Sequence, residues 1–234
     1  MINVRKSNER GHANHGWLDT YHTFSFNTYY DERFMNFRSL RVINEDRVAS
    51  GEGFGTHGHK DMEIITYVVS GALAHKDSMG NGETLRPHEW QRMSAGTGIR
   101  HSEYNASDSE TTHFLQIWLI PDEENLTPEY EQKPFGITTK TNKLKLVASK
   151  TGEGDSLKIH QDANLYNSIL TANAQVTHEF NVNRHGYLQL IKGTVSINGN
   201  ELKAGDGAAI SDEKTLIIKS DSNDESEFLL FDLA

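Results

Sequence analysis

The stretch GFGTHGHKDMEIITYVVSG, Gly53–Gly71, places two histidines one residue apart in front of an apolar run. Side chains alternate faces along a strand, so His57 and His59 point the same way and can share one ion. The β-branched run that follows reads as a strand, with Gly71 as its corner. A second segment, GTGIRHSEYN (Gly96–Asn105), repeats the spacing with His101 and Glu103. Two such pairs on neighbouring strands would bring three imidazoles and one carboxylate to a point. That donor set suits Fe(II), Mn, Co, Ni, Cu or Zn, with open positions for dioxygen or an anionic substrate. The chain has no cysteine, so any metal must sit on nitrogen and oxygen, and disulfides and thiol nucleophiles are excluded.

The 234 residues suffice for one large or two modest domains, each with its own core. A formal net charge of −10 argues against direct nucleic-acid binding, which relies on clustered Lys and Arg. No apolar run reaches the roughly 18 residues needed to cross a bilayer, and MINVRKSNERGHANHGW lacks the apolar core of a secretory signal. A cytoplasmic protein without membrane association is the expectation. The acidic runs PDEENLTPEYEQ (Pro121–Gln132) and SDSNDESE (Ser220–Glu227) read as solvated loops, with one helical turn expected in LTPEYEQ.

Strand signals dominate elsewhere, in segments such as RSLRVINED, THFLQIWLIP, GYLQLIKGTVSING and EFLLFDL, separated by turns such as Asn198-Gly199. The chain therefore reads as all-β. It also reads as duplicated: VVSGAL (Val68–Leu73) matches LIKGTV (Leu190–Val195), and Leu85–Gly96 matches Leu202–Ser211. Setting Gly193 on Gly71 places Glu179, Asn181 and His185 opposite His57, His59 and Glu63, and the Leu85–Leu202 pair places Ile218 opposite His101. The second copy keeps the scaffold and lacks the ligand set.

GEGFGTHGHKDMEIITYVVSG resembles the first cupin motif through Gly51, His57, His59 and Glu63, with Gly71 one residue late. GTGIRHSEYN resembles the second through Gly98, His101 and Asn105, with Gly96 where proline is usual. GWLDTYHTFSFNTYYDERFMNFRSLRVINEDRV, HGHKDMEIITYVVSGALAHKDSMGN, QRMSAGTGIRHSE and FLQIWLIP are more specifically similar to the pirin family of two-domain cupins, over most of residues 16–121. The resemblance implies two tandem cupin barrels of double-stranded β-helix, jelly-roll-like form: residues 1–135 as the metal-binding domain and residues 136–234 as a cupin without metal ligands. It implies one divalent transition metal, Fe(II) foremost, on His57, His59, His101 and Glu103. Glu63 is then left to support the ligands or the scaffold.

Two functions follow from that resemblance. One is a quercetin 2,3-dioxygenase, an oxidoreductase that opens a flavonol with O2 and releases CO, with Glu103 as catalytic proton acceptor from the 3-hydroxyl. The other is a non-enzymatic, redox-sensing pirin that regulates protein partners. The expected assembly is a monomer. Phe54, Met93 and Trp118 are candidate walls for a flat aromatic substrate. His12, His15 and His22 lack a carboxylate at pair spacing and are expected to be surface or hydrogen-bonded residues, and Glu179 and His185 to form a polar remnant in the second copy.

Overall fold

The computed structural model describes residues 1–234, and nearly all of its regular structure is strand. It contains two compact units: Gly11–Pro134 with Leu157–Gln161, and Met1–Arg10 with Phe135–Ser156 and Asp162–Ala234. No helix is long and apolar enough to cross a membrane.

In the first unit a large antiparallel sheet runs, in spatial order, through Glu129–Pro134, Glu89–Ser94, Glu63–Ser70, Thr112–Leu119, Leu40–Val48, Leu18–His22 and Gly11–Asn14. A smaller sheet runs through Gly53–His59, Ile99–Asn105, Leu73–Asp77 and Gly82–Leu85. Inward apolar residues join the two: Val48, Val68 and Phe114 meet Leu73 and Leu85 in one cluster, and Ile64 and Met93 meet Ile99 in another. The large sheet is polar between these clusters. Thr66 stands opposite Gln91 and Gln116, Gln116 opposite Asn44, and Asn44 opposite His22, all in one row across five strands. Such a row inside a barrel is stable only if each member finds a partner, because buried polar groups without one are costly.

LTPEYEQ does not hold a helical turn. Its residues from Glu129 onward form the strand Glu129–Pro134, paired with Glu89–Ser94. Buried Arg92 explains the extension, since its guanidinium donates to Glu129 at 3.0 Å and to Glu131 at 3.3 Å, two carboxylates that only an extended chain aligns on one face.

The second unit repeats this connectivity. Ile2–Arg5, Gly207–Ile210, His185–Lys192, Ser226–Leu233, Ala163–Leu170 and Lys145–Ser149 lie in order in one sheet, and Gln175–Glu179, Thr215–Ser220, Thr194–Ile197 and Asn200–Lys203 in the other. An apolar cluster that includes Leu188, Leu190, Ile197, Leu216, Ile218 and Phe228 fills the core between them. The first strand of the chain thus completes the sheet of this unit, through the register Ile2↔Ile210 to Arg5↔Gly207.

The duplication is exact enough to be seen at single glycines. Leu73 pairs with Leu85 and Val195 with Leu202, each pair preceded by a glycine in left-handed conformation, Gly71 at φ 81° and Gly193 at φ 83°. A Cβ on either would lie 2.8 Å from the Cα of a neighbouring strand residue, Thr112 or Ser226. Gly71→Ala and Gly193→Ala are each expected to cost about 1–3 kcal/mol from the backbone conformation alone, with the contact adding to it. Urea unfolding of the two variants checks this, and an unchanged midpoint in either would remove the corner as a requirement.

Candidate functional site

His57 and His59 sit on Gly53–His59, and His101 and Glu103 on its neighbour Ile99–Asn105. His101 lies opposite His57, but Glu103 lies opposite Phe54, so the first strand carries an extra residue between them. This bulge has a local consequence. Phe54 and His57, an odd number of residues apart, both face inward, which regular alternation forbids.

The ring nitrogens of His57, His59 and His101 lie within 4.8 Å of one another, and His59 Nε2 is 2.9 Å from His101 Nε2. Hydrogen bonds fix the outer ring atoms. His57 Nδ1 donates to the Gly55 carbonyl at 2.8 Å, which leaves Nε2 as its lone-pair nitrogen. Gln91 donates to His75 Nδ1 at 3.3 Å, so the His75 proton is on Nε2, toward Asp77 at 3.3 Å. His101 Nδ1, 3.5 Å from that same His75 acceptor, is then the protonated nitrogen of its ring, and His101 Nε2 presents a lone pair to the cluster. Outer partners that set tautomers in this way are how proteins prepare imidazoles for a cation.

Burial reinforces the neutral state. His59 is pushed down to about 4 and His101 to about 3, chiefly by desolvation and then by neighbouring imidazole charge. Glu103 is buried, and desolvation raises it to about 7, helped by Asp46 and opposed by the hydrogen bond from Gln116. Gln116 Nε2 donates to Glu103 Oε2 at 2.9 Å, and Thr66 donates to Gln116 Oε1 at 2.7 Å, which fixes the amide orientation. Glu103 Oε1 is buried without a hydrogen-bond partner. Neutral convergent nitrogens beside an unpartnered carboxyl oxygen are a donor set that fits a divalent transition metal. His75, His101 and Glu103 form a second grouping within 4.8 Å, so Glu103 reaches the histidines from the His101 side.

His57, His59 and Glu103 open onto a cavity of about 920 Å³, within the range of small-molecule sites. Phe54 and Trp118 line it, as do Trp17 and Phe26, and Trp118 stacks edge-on to His59 with centroids 5.0 Å apart. Met93 does not. It stands opposite Ile64 in the row that also contains Trp118, two strands across the sheet from that wall residue, and packs with Ile64, Ala95 and Ile99. Glu63 is also absent from the wall: Ser94 Oγ donates to it at 2.9 Å, and burial, opposed by Ser94 and Arg92, raises its pKa. Glu63 therefore serves the scaffold.

The N-terminal histidines divide. His12 bonds Asp19 at 2.7 Å across a hairpin, whereas His15 and His22 line the cavity, His22 held by Asn44 Oδ1 at 2.8 Å. Asn44, Asp46 and Gln116 on the cavity wall were not anticipated. The available signal was the polar pair Asn44 and Asp46 on the same face of the strand as Leu40, Val42 and Val48.

In the second unit the pairing Val195↔Ser220, equivalent to Leu73↔Asn105, sets Ile218 in the place of Glu103 and Leu216 in that of His101. The offset carried from Leu85 and Leu202 was thus two residues out. By the same register His178 stands for His57 and Phe180 for His59. His178 is itself buried and bonded to Asp232 at 2.8 Å, with Arg184 on the same carboxylate at 2.6 Å, whereas Glu179 is exposed.

The profile of the family described as Pirin matches residues 3–119, and that of the quercetinase C-terminal cupin domain matches residues 146–233. The chain is 53% identical over 233 residues to the quercetin 2,3-dioxygenase of Escherichia coli K12, covering 100% of this chain and 99% of that one. This chain belongs to the pirin family. A pirin relative named putative quercetin 2,3-dioxygenase, from Pasteurella multocida, is 42% identical over 237 residues, with 100% of both chains covered. Among solved structures, the pirin fold seen here matches YhhW from E. coli with a TM-score of 0.95 at 52% identity, over 100% of this chain and 98% of that one. The nickel(II) complex of the bacterial pirin YhhW matches at 0.94 and 52%, over 100% and 99%. Oxalate decarboxylase from Lactobacillus farciminis, at 9% identity, TM-score 0.69 and coverage of 98% and 85%, shares the fold alone.

Asp46 gives the site a pH test away from the histidines. Burial raises its carboxyl to about 7, opposed by Thr20 and assisted by Glu45. The unfolded chain ionises this group near 4, so the stability it contributes is present below that pH and is lost as pH rises through 7. Asp46→Asn is therefore expected to gain on the parent protein between pH 4 and 8, by on the order of 2–4 kcal/mol. Urea unfolding across that range checks it; a constant difference would mean that Asp46 titrates normally.

Proposed function

We propose that this pirin is a metal-dependent dioxygenase that opens flavonols such as quercetin with O2 and releases CO. The observation that carries the reading is the convergence of three imidazoles, two of them on the wall of an aromatic-lined cavity, beside a carboxyl oxygen without a partner. His57, His59, His101 and Glu103 would hold one divalent transition metal, Fe(II) foremost. The relatives named quercetin 2,3-dioxygenase and the nickel(II) complex of a bacterial pirin support the substrate class and the presence of a metal.

A bound metal of this kind supplies Lewis acidity toward a substrate oxygen. The protein does the rest by placement. Phe54 and Trp118 stack on a flat three-ring ligand and exclude water, so its 3-hydroxyl can point at the histidines. Glu103, on the same face, is the group positioned to accept the 3-hydroxyl proton, and Gln116 and Thr66 hold its carboxylate in one orientation for that transfer. Dioxygen, being small and neutral, needs no dedicated polar pocket beyond the space left above the ligand.

His101→Ala is expected to purify without metal while keeping its melting transition, because the apolar clusters on either side of the site do not depend on an ion. Metal analysis that finds a full complement would sink the ligand assignment. Oxygen consumption with quercetin is expected to follow metal occupancy in the parent protein and to vanish in His57→Ala. Full occupancy without oxygen uptake would overturn the dioxygenase reading and leave a metal-binding pirin with another role. Glu63→Gln is expected to retain metal, and Glu103→Gln to lose roughly tenfold or more in affinity.

A further inference from the structure

We propose that Asp46 selects hydroxylated aromatic ligands in this cavity by bonding a ligand hydroxyl other than the one presented to the histidines. The inference deepens the dioxygenase reading and rests on it for the class of ligand.

Asp46 lies on Leu40–Val48, in the large sheet, whereas the histidines lie on the small one. It lines the cavity together with Thr20, Asn44 and Gln116, yet its residue is only 5% exposed. Thr20 bonds its carboxyl, and Oδ1 is buried without a hydrogen-bond partner. No neighbour supplies one. Asp46 stands opposite Phe114 on one side and Thr20 on the other, and the flanking inward positions along its strand are Val48 and Asn44, whose Oδ1 is bonded to His22. Phe54, Trp17 and Leu18, which close this part of the wall, pack with Val48 and Phe114. An apolar side chain would fill such a position at lower cost, because a buried acceptor without a donor forfeits its hydration.

A hydroxyl is the complement that answers both states of the group. It donates to the ionised carboxylate and accepts from the protonated acid. The surrounding aromatic and aliphatic wall suits the ring that would carry that hydroxyl. A ligand without it would leave Oδ1 unpaired, and sites built around a substrate hydroxyl discriminate strongly against analogues that lack it.

The test compares quercetin, with hydroxyls on all of its rings, and 3-hydroxyflavone, which carries the 3-hydroxyl alone. Parent protein, Asp46→Ala and Asp46→Asn are titrated with each ligand in the metal-free state, by quenching of tryptophan fluorescence, and assayed for oxygen uptake in the metal-loaded state. Asp46→Ala is expected to weaken quercetin binding and its kcat/KM about tenfold or more, leaving 3-hydroxyflavone within twofold. Asp46→Asn, which keeps the shape and the Thr20 contact, is expected to move in the same direction, and it carries the comparison if the alanine variant fails to fold. Equal losses for both ligands, or no loss for either, would overturn the proposal, since a structural role would move them together. Parent protein that binds quercetin selectively through Asp46 but consumes no oxygen would overturn the dioxygenase reading and leave this inference standing. Parent protein that binds neither ligand would overturn both.

Discussion

A carboxyl group placed wholly inside a barrel imposes its needs on everything around it, and Glu103 is that group here. Its desolvation is large enough to move its titration to about 7, so the fold must supply hydrogen bonds where water would have stood. Gln116 supplies one, and Thr66 holds Gln116 in the single orientation that can do so. The rest of the row, from Gln91 to His22, extends the same logic across five strands, with Gln91 serving His75 and Asn44 serving His22. A barrel with a uniformly apolar lining would be easier to fold and could not orient a carboxylate.

The second barrel shows the alternative. With the same strand order it places Leu216 and Ile218 where the first has His101 and Glu103, and its core is continuous. The same spatial arrangement of strands therefore accommodates either a cavity with a polar floor or an apolar filling. The choice is made by a few inward positions, and function resides in those positions rather than in the barrel.

The fold class and the main side-chain cluster were legible in the sequence because both depend on short-range pattern. Alternation places His57 with His59 and His101 with Glu103 whatever the rest of the chain does, and the glycine corners at 71 and 193 mark the duplication. What alternation does not supply is depth along a strand or the partner across the sheet. Met93 has the correct face and the level of Trp118 but sits two strands across the sheet from it, among Ile64, Ala95 and Ile99. The bulge that brings Phe54 and His57 to one side arises from pairing with Ile99–Asn105 and has no signature within its own strand. Asn44 and Asp46 were hidden by the alternating Glu45 and Arg47, which make the strand polar on both faces and obscure which one turns inward. The helical turn expected in LTPEYEQ gave way to Arg92, a tertiary demand outweighing local preference.

The strand Ile2–Arg5 finds its hydrogen-bonding partner in Gly207–Ile210. On the ribosome this strand emerges before its partner, which follows only after the whole barrel of Gly11–Pro134 has been synthesised. The earlier barrel can gather its sheet from its own residues and the short return at Leu157–Gln161, while the leading strand trails free as an unpaired edge. Closure of the later sheet at this edge then joins segments separated by the whole of the first barrel. Long-range closures of this kind are slow, which makes the order of synthesis part of how the two barrels come to be complete.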